Sequence, residues 1–255
     1  MNKFLSYVAW AEIGLCALTG AILMVPVFLV TAPFDPNRRA SGRMFRLIGV
    51  WAARLHPYWR FRVHGDFVRP RGNTVVVGNH ASQADPFLIS CLPWEMKWLT
   101  KIEMFRIPVM GALLKMAGDI PVHRGQRDSA KDAMARCGEY LQRGMPVMIF
   151  PEGTRSKDGQ LQPFKDGAFR LAIENQSELL PIAVAGTHHA LPKHSGSFGR
   201  ARAFVTVGRP ISTEGMTLDD LDALKVQARE AIAALMSKLE AETDATRKDD
   251  ASAAG

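Results

Sequence analysis

The feature that most constrains this chain is an almost unbroken apolar run near its start, from Phe4 to Val30. As one helix, rising 1.5 Å per residue, the run would reach about 40 Å, more than the roughly 30 Å hydrocarbon core of a bilayer. A secretory signal is a competing interpretation, because Val30-Thr31-Ala32 resembles a cleavage site. The apolar stretch is too long for a signal core, however, and Pro33 would follow the cut. The run therefore predicts a membrane segment.

Glu12 is out of place in such a segment. A carboxylate is costly at the centre of a bilayer, so we expect Glu12 to lie near an interface, to pair with a polar group or to be protonated. Bends are possible at Gly14, Gly20 and Pro26, which leaves a re-entrant helical hairpin open beside a single span. A buried helix of a soluble protein is a further alternative.

Positive charge is concentrated directly after the apolar run. One lysine precedes the run and four arginines follow it, namely Lys3 and then Arg38, Arg39, Arg43 and Arg46. Because an excess of Lys and Arg marks the cytoplasmic side of a membrane segment, we expect the remaining chain to face the cytosol at the inner (cytoplasmic) membrane.

The segment from Arg43 to His56 alternates basic and apolar residues at helical spacing. This pattern is typical of a helix lying on an anionic surface, and equally of an amphipathic helix packed on its own domain. Together with the apolar run, the segment predicts a membrane-anchoring helical region over residues 1–56.

Composition and charge narrow the class of the remaining chain. Of 255 residues, 47% are apolar and 22% charged, which is typical of a globular protein. The net charge of +7 favours a partner that carries negative charge, such as a phosphate headgroup, an anionic membrane, nucleic acid or an acidic carrier protein. Nucleic acid is disfavoured, because the basic residues follow the apolar run without aromatic stacking motifs.

Cysteine and histidine spacing suggest neither disulfides nor a metal. The three cysteines, Cys16, Cys91 and Cys137, are scattered and odd in number, which favours a reducing compartment. A cluster of histidines, His188, His189 and His194, lacks the partners of a familiar metal site. We therefore expect no metal and no cofactor.

After Pro57, β-prone runs alternate with helical stretches. The expected strands are Tyr58–Val63, Thr74–Val77, Met96–Leu99, Ile120–Val122, Val147–Phe150, Leu180–Val184 and Ala203–Val207. Helical candidates are Ser129–Arg143, Lys165–Asn175 and a last helix that starts near Thr217 with Asp220 placed as in a capping box. Strands separated by helices predict an α/β domain with a mixed, largely parallel sheet flanked by helices, here over residues 57–241. Small and charged residues predict a disordered tail at 242–255.

The stretch from Gly78 to Phe87 follows the expected strand Thr74–Val77 and carries a histidine and an aspartate five residues apart, His80 and Asp85. If Asp85 lies against His80, it binds one imidazole nitrogen and leaves the other free to accept a proton. The alternative is structural, since Asp85 followed by Pro86 is also a good N-cap and helix start.

A second polar stretch, Phe150–Ser156, follows another expected strand. Gly153 permits a tight turn that exposes backbone N–H groups, and Arg155 offers a planar fork for phosphate oxygens. Lys101 and Arg124 follow two further strands, so they would add positive charge at the same edge of the sheet. Each of these stretches, taken singly, is also typical of an ordinary loop.

Together these motifs resemble the four blocks of the glycerolipid acyltransferases. The chain is similar to the bacterial 1-acyl-sn-glycerol-3-phosphate acyltransferase (PlsC-type) branch over about residues 35 to 210. The motifs are Asn79-His80 through Asp85, IPVHRG at 120–125, FPEGTRS at 150–156 and LPIA at 180–183. One departure is His123 before Arg124, where such enzymes often carry an acidic or other polar residue.

The resemblance implies the glycerol-phosphate acyltransferase fold and a direct acyl transfer. His80 would be the general base, and Asp85 would orient it. The other implied roles concern the substrate: Lys101, Arg124 and Arg155 would hold the acceptor phosphate, while Glu152, Gly153 and Thr154 would shape its cradle. The donor would be acyl-CoA or acyl carrier protein, the acceptor a lysophospholipid in the bilayer, and the product phosphatidic acid.

Three other functions stay open. A hydrolase would need a nucleophile, but neither Ser82 nor Ser197 lies in a G-x-S-x-G elbow, and Cys91 falls on an apolar helical stretch. Relatives with these blocks also act on other lysolipids, such as lyso-ornithine lipids. A non-catalytic lipid-binding membrane protein would use the same basic residues, but it would not need a base such as His80.

Overall fold

Helices flank a seven-stranded sheet in the structure, a computed structural model that describes residues 3–156, 158–192 and 196–253. The α-helices are α1 (Lys3–Thr31), α2 (Arg39–Leu55), α3 (Asp85–Ile89), α4 (Met110–Ala117), α5 (Arg127–Gln142), α6 (Gly167–Glu174), α7 (Thr187–Ala190) and α8 (Leu221–Ala253). Two 3₁₀ helices cover Ile102–Arg106 and Leu218–Asp220. The strands are β1 (Trp59–Val63), β2 (Thr74–Gly78), β3 (Lys97–Lys101), β4 (Ile120–Val122), β5 (Val147–Ile149), β6 (Glu178–Ala185) and β7 (Ala201–Val207).

The sheet has the strand order β1-β7-β6-β2-β5-β3-β4, and β6 with β7 is its one antiparallel pair. This confirms the predicted mixed, largely parallel sheet, and all seven predicted strands are present. Because side chains alternate across a strand, Val75 and Val77 of β2 face one helix layer and Val76 faces the other. The first layer contains α5, α6 and α8, and the second contains α3 with α2 and α1 packed beside it.

The N-terminal helix α1 runs unbroken through Gly14, Gly20 and Pro26, so no hairpin forms within it. A Cβ at Gly20 would lie 2.4 Å from Cδ1 of Ile48, which shows how closely α1 packs on α2. Its outer face exposes large apolar side chains, among them Tyr7, Leu15, Leu18, Ile22, Leu29 and Val30. By length and composition, α1 is the one helix in the described part of the chain suited to cross a membrane.

Helix α2 packs on the domain through two of its arginines. Arg43 donates to the carbonyl of Leu92 at 3.0 Å, and the buried guanidinium of Arg46 pairs with Asp119. These contacts favour the packed helix over one that turns its arginines to an anionic surface. The opposite side of α2 still exposes Trp51.

A buried lysine also joins α2 to the sheet. The ammonium of Lys97, at the start of β3, donates to the carbonyls of Arg38 at 2.9 Å and Ala117 at 2.7 Å, and to Glu95 at 2.9 Å. Removing one partner from such a buried ion pair typically costs about 3–5 kcal/mol. This contact therefore fixes the start of α2 relative to the start of β3.

The final helix differs from the sequence prediction at its C-terminal end. Thr217 and Asp220 form the predicted capping box, but α8 continues to Ala253 through the segment predicted as a disordered tail. The segment from 242 to 253 contains no proline or glycine, the two residues that disfavour a helix most. The domain boundaries at 56 and 241 stay predictions.

Candidate active site

Five neighbouring strands bring the polar loops together. β6, β2, β5, β3 and β4 are parallel, so their carboxyl ends meet at one edge of the sheet. The loops that leave this edge carry the residues singled out from the sequence. This is the place where α/β folds build their sites.

His80 leaves the end of β2 and lies against Asp85 at the start of α3. The imidazole Nδ1 lies 2.7 Å from Oδ2 of Asp85, as the sequence predicts. The side chain of Asp85 is fully buried, and that of His80 is 11% exposed. With Nδ1 bound to the carboxylate, Nε2 is the nitrogen that can accept a proton.

Asp85 is held in place by the loop that it closes. Its Oδ2 also accepts the backbone N–H of Ala81 at 2.8 Å and of Ser82 at 2.9 Å. The expectation that Asp85 is the N-cap of the helix is wrong, because α3 begins at Asp85 itself and Ala84 occupies the cap position. The carboxylate therefore serves the imidazole and its loop.

Two contacts tie the loop of His80 to the neighbouring strands β5 and β6. The ring of Phe150, directly after β5, stacks on that of His80 with centroids 4.1 Å apart and planes 14° apart. Asn79 is buried and bridges to β6, donating to the carbonyl of Val184 at 2.9 Å and accepting its N–H at 2.8 Å. The position of His80 is thus set by three adjacent strands.

Glu152 binds backbone N–H groups of two loops at the site. Its buried carboxylate accepts the N–H of His80 at 2.7 Å and the N–H of Gln162 at 3.1 Å. Burial raises the pKa of this carboxyl, although the two N–H groups act in the opposite direction. Glu152 therefore ties the loop after β5 to the loop after β2, and its predicted contact with substrate stays a prediction.

The turn at Gly153 adopts a left-handed conformation with φ of 67°. A Cβ here would lie 2.9 Å from Cε of Lys165, so glycine suits both the backbone and the space. The N–H of Gly153 donates to the carbonyl of Phe150 at 3.0 Å, so this amide is taken up by the turn. Thr154 follows it and is exposed.

Three predicted cations follow neighbouring strands at this edge of the sheet. Lys101 ends β3 and lies 3.2 Å from Glu103, both about half exposed. Burial lowers the pKa of Arg124, and the nearby guanidinium of Arg155 lowers it further, while Glu103 raises it. The three predicted phosphate-binding cations, Lys101, Arg124 and Arg155, thus follow neighbouring strands, with Glu103 among them.

Comparison with known proteins gives these residues a context. The family described as Acyltransferase matches residues 60–185. A 1-acyl-sn-glycerol-3-phosphate acyltransferase of Limnanthes douglasii is 33% identical over 230 residues, which cover 87% of this chain and 78% of the relative. The chain belongs to the 1-acyl-sn-glycerol-3-phosphate acyltransferase family. The resemblance predicted from the sequence motifs is confirmed.

Other acyltransferases of this family are longer than the present chain. The chloroplastic 1-acyl-sn-glycerol-3-phosphate acyltransferase LPAT1 of Arabidopsis thaliana is 32% identical over 206 residues, covering 77% of this chain and 57% of the relative. The chain thus spans a little over half the length of that relative. A solved structure, that of the acyltransferase PlsC from Thermotoga maritima, has the same fold, with a TM-score of 0.76 at 22% identity over 94% of this chain and 98% of that one.

Two residues considered for other functions are engaged in other contacts. The buried hydroxyl of Ser82 donates to the carbonyl of Leu191 at 3.0 Å and accepts the N–H of Ala84 at 3.1 Å. Burial raises the pKa of the Cys91 thiol. Neither side chain is placed as a nucleophile.

The histidine cluster is only partly described. The rings of His188 and His189 in α7 lie with centroids 3.8 Å apart and planes tilted by 42°, and His194 lies outside the described residues. Within the described ranges, no group of three or more His, Cys, Asp or Glu side chains is arranged to hold a metal ion.

Proposed function

We propose that this chain transfers a fatty acyl group from acyl-CoA or acyl carrier protein to the sn-2 hydroxyl of 1-acyl-glycerol 3-phosphate, which gives phosphatidic acid. Its relatives in several organisms bear the name of this activity. The observation that carries the proposal is the His80–Asp85 pair beside a group of cations at the same edge of the sheet.

The reaction follows from the orientation of one imidazole. Nε2 of His80 takes the proton of the acceptor hydroxyl as the oxygen attacks the thioester carbonyl. Asp85, bound to Nδ1, stabilises the imidazolium that forms. The tetrahedral intermediate then collapses, the C–S bond breaks, and the proton on His80 passes to the leaving thiolate. No acyl-enzyme forms and no cofactor is needed, because a thioester is already activated.

The cations hold the acceptor in place for this attack. Arg155 can bind two phosphate oxygens with its planar fork, and Lys101 and Arg124 add positive charge beside it. Holding the phosphate fixes the glycerol hydroxyl relative to His80, and such positioning lowers the barrier beyond what a general base contributes.

We further propose that the enzyme works at the inner membrane with its catalytic site on the cytosolic side. The exposed apolar face of α1 supports attachment to lipid, and the arginines that follow α1 support the cytosolic orientation. A lysophospholipid would then reach the site from the bilayer, while its acyl donor arrives from water.

A crossed assay tests this function. Purified protein in detergent micelles is given acyl-CoA or acyl carrier protein as donor, and lysophosphatidate, a lyso-ornithine lipid or lysophosphatidylcholine as acceptor. We expect thiol release that depends on lysophosphatidate. Release with the lyso-ornithine lipid alone would reassign the acceptor. No release with any pair would favour a lipid-binding protein.

The phosphate contact has its own test. Because hydrogen bonds to charged groups contribute about 1.5–3 kcal/mol, we expect Arg155→Ala to raise the KM for lysophosphatidate about 10- to 100-fold. Arg62→Ala, an exposed arginine on β1, is the matched control and should leave KM within about twofold. An unchanged KM in Arg155→Ala would show that this arginine does not hold the phosphate.

A further inference from the structure

Both backbone polar groups of His80 are bound by the loop that follows β5. The N–H of His80 donates to Oε1 of Glu152 at 2.7 Å, and its carbonyl accepts the N–H of Ser156 at 2.8 Å. Glu152 and Ser156 are both buried. The position of the imidazole relative to the sheet therefore depends on what holds this loop in place.

The loop is closed by its own hydrogen bonds. The N–H of Lys165 donates to the carbonyl of Pro151 at 2.9 Å, which brings the two ends of the loop together. Between these ends, the N–H of Gln162 donates to Oε2 of Glu152 at 3.1 Å. One carboxylate oxygen of Glu152 thus binds His80, and the other binds the later part of the loop.

An arginine of the last helix binds this later part of the loop. Arg229, half-buried on α8, donates to the carbonyl of Leu161 at 2.9 Å and to that of Gln162 at 2.7 Å. Its guanidinium also lies over the ring of Phe164, 5.5 Å from the centroid. Because Gln162 and Arg229 are 67 residues apart in the chain, these contacts fix the loop to a distant helix.

A single peptide group connects Arg229 with Glu152. The carbonyl of Leu161 and the N–H of Gln162 belong to the same planar group, so Arg229 binds its oxygen and Glu152 binds its nitrogen. A cation at the oxygen polarises the group, and its N–H becomes a stronger donor. Burial raises the pKa of Glu152, and a strong N–H donor favours the ionised carboxylate that also binds His80.

We propose that Arg229 is a positioning residue of the acyl transfer, which holds the backbone of His80 through the peptide group 161–162 and Glu152. A general base works only within hydrogen-bond reach of the proton that it takes, so a small shift of this backbone lowers the rate. The last helix thus takes part in the reaction without contributing a reacting group. This inference rests on the role of His80 proposed above.

Arg229→Ala removes the link, and Lys225→Ala is the matched control. Lys225 lies one turn earlier on α8 and pairs with Asp166 at 2.8 Å and Asp222 at 2.9 Å. Its loss removes a contact of the same helix but leaves the hydrogen bonds of Glu152 in place. Initial rates are measured with acyl-CoA and lysophosphatidate, and the unfolding temperature is measured on the same samples.

We expect Arg229→Ala to lower kcat about tenfold and to change the KM for lysophosphatidate less than threefold, because the base moves more than the substrate contacts. Lys225→Ala should keep kcat within about twofold. Arg229→Lys keeps a cation that can bind one carbonyl, so it should recover part of the rate. A raised KM with an unchanged kcat in Arg229→Ala, or equal losses of kcat in Arg229→Ala and Lys225→Ala, would overturn the proposal.

The route through Glu152 is tested by combining substitutions. Glu152→Gln weakens the link to His80 by itself, so adding Arg229→Ala should lower kcat by no more than about twofold further. The combination of Glu152→Gln with Lys225→Ala serves as the control. A further tenfold loss on adding Arg229→Ala would show that Arg229 acts by another route, which would refute the proposed link.

Hydrogen exchange separates this inference from the proposed reaction, because it needs no turnover. In Arg229→Ala we expect the backbone amides of residues 79–82 to exchange faster than in the wild type, and in Lys225→Ala at the wild-type rate. Unchanged exchange in Arg229→Ala would refute the positioning role and leave the acyl transfer untouched. Faster exchange in a protein without acyl transfer to any acceptor would support the link to His80 while the proposed function fails.

Discussion

Two imidazoles in this molecule stack on aromatic rings and yet have different surroundings. His56, between α2 and β1, stacks on Trp59 with centroids 4.3 Å apart, and His80 stacks on Phe150 at 4.1 Å. His80 has a carboxylate at one nitrogen and is partly open to solvent. His56 is fully buried, and the one hydrogen bond found for its ring comes from the N–H of Tyr58 at 3.3 Å.

The difference indicates why His80, and not His56, is suited to the proposed role of general base. The Nε2 atom of His56 is buried and has no partner among the described residues, and burial lowers the pKa of His56 to about 4. The His56 ring therefore stays neutral at physiological pH, because burial disfavours its charged form. Asp85 supplies this stabilisation at His80, so the carboxylate and the opening to solvent separate the two roles.

The largest expected effect comes from removing the imidazole at position 80. General-base help contributes about 10²–10⁴-fold, and we expect His80→Ala to lower kcat toward the upper end of that range. The assay is acyl transfer to lysophosphatidate, with the unfolding temperature measured on the same sample. The paired variant His56→Phe should keep kcat within about twofold, because the side chain of His56 is fully buried. Equal losses of kcat in both variants would contradict the proposed difference between His80 and His56.

The carboxylate is tested next. Asp85→Asn keeps the shape of the side chain but removes its charge, so we expect kcat to fall about 100-fold. Asp166→Asn, whose exposed carboxylate pairs with Lys225, serves as the control. A full rate in a folded Asp85→Asn sample would mean that His80 needs no carboxylate. The carboxylate would then not be what distinguishes His80 from His56.

Local pattern explains which parts of the site could be predicted from sequence. His80 and Asp85 lie five residues apart after an apolar strand, and Arg155 follows another strand in the same way. Parallel strands then bring such loop residues to one edge, so the grouping of the cations follows from the order of elements.

The remaining parts depend on contacts between distant segments. The sequence predicts Phe150 as the last residue of a strand. Its stacking on His80 depends on the pairing of β2 with β5. Lys97 lies within an apolar strand, and two of its three acceptors, the carbonyls of Arg38 and Ala117, are 59 and 20 residues away. The same holds for the N–H groups that bind Glu152, because one of them belongs to His80, 72 residues away.

Burial of the His56 ring should make the fold less stable in acid. The unfolded chain binds a proton on this histidine near pH 6.5, whereas the folded protein binds it only near pH 4. Stability is therefore fully present above pH 6.5 and decreases as the pH falls toward 4, by on the order of 2 kcal/mol once pH 5 is reached. Denaturant unfolding in detergent at pH 7.5 and pH 5 measures this decrease.

His56→Phe keeps the stack on Trp59 and removes the titrating group. We expect the decrease in unfolding free energy between pH 7.5 and pH 5 to be smaller in His56→Phe than in the wild type. Identical decreases would show that His56 takes up its proton without cost in the folded state, and the contrast with His80 would then concern solvent access alone.

The smallest expected effect concerns the ring that supports the base. An aromatic pair contributes about 0.5–1.5 kcal/mol beyond its buried area, so Phe150→Leu should lower kcat about three- to tenfold as His80 loses part of its orientation. Phe67→Leu is the matched control, because Phe67 packs in the same core cluster and pairs with Trp94 instead. If both variants lose stability but only Phe150→Leu loses rate, the stack orients the imidazole. Equal values of kcat in the two variants would mean that the stack of Phe150 on His80 is purely structural, like the stack of His56 on Trp59.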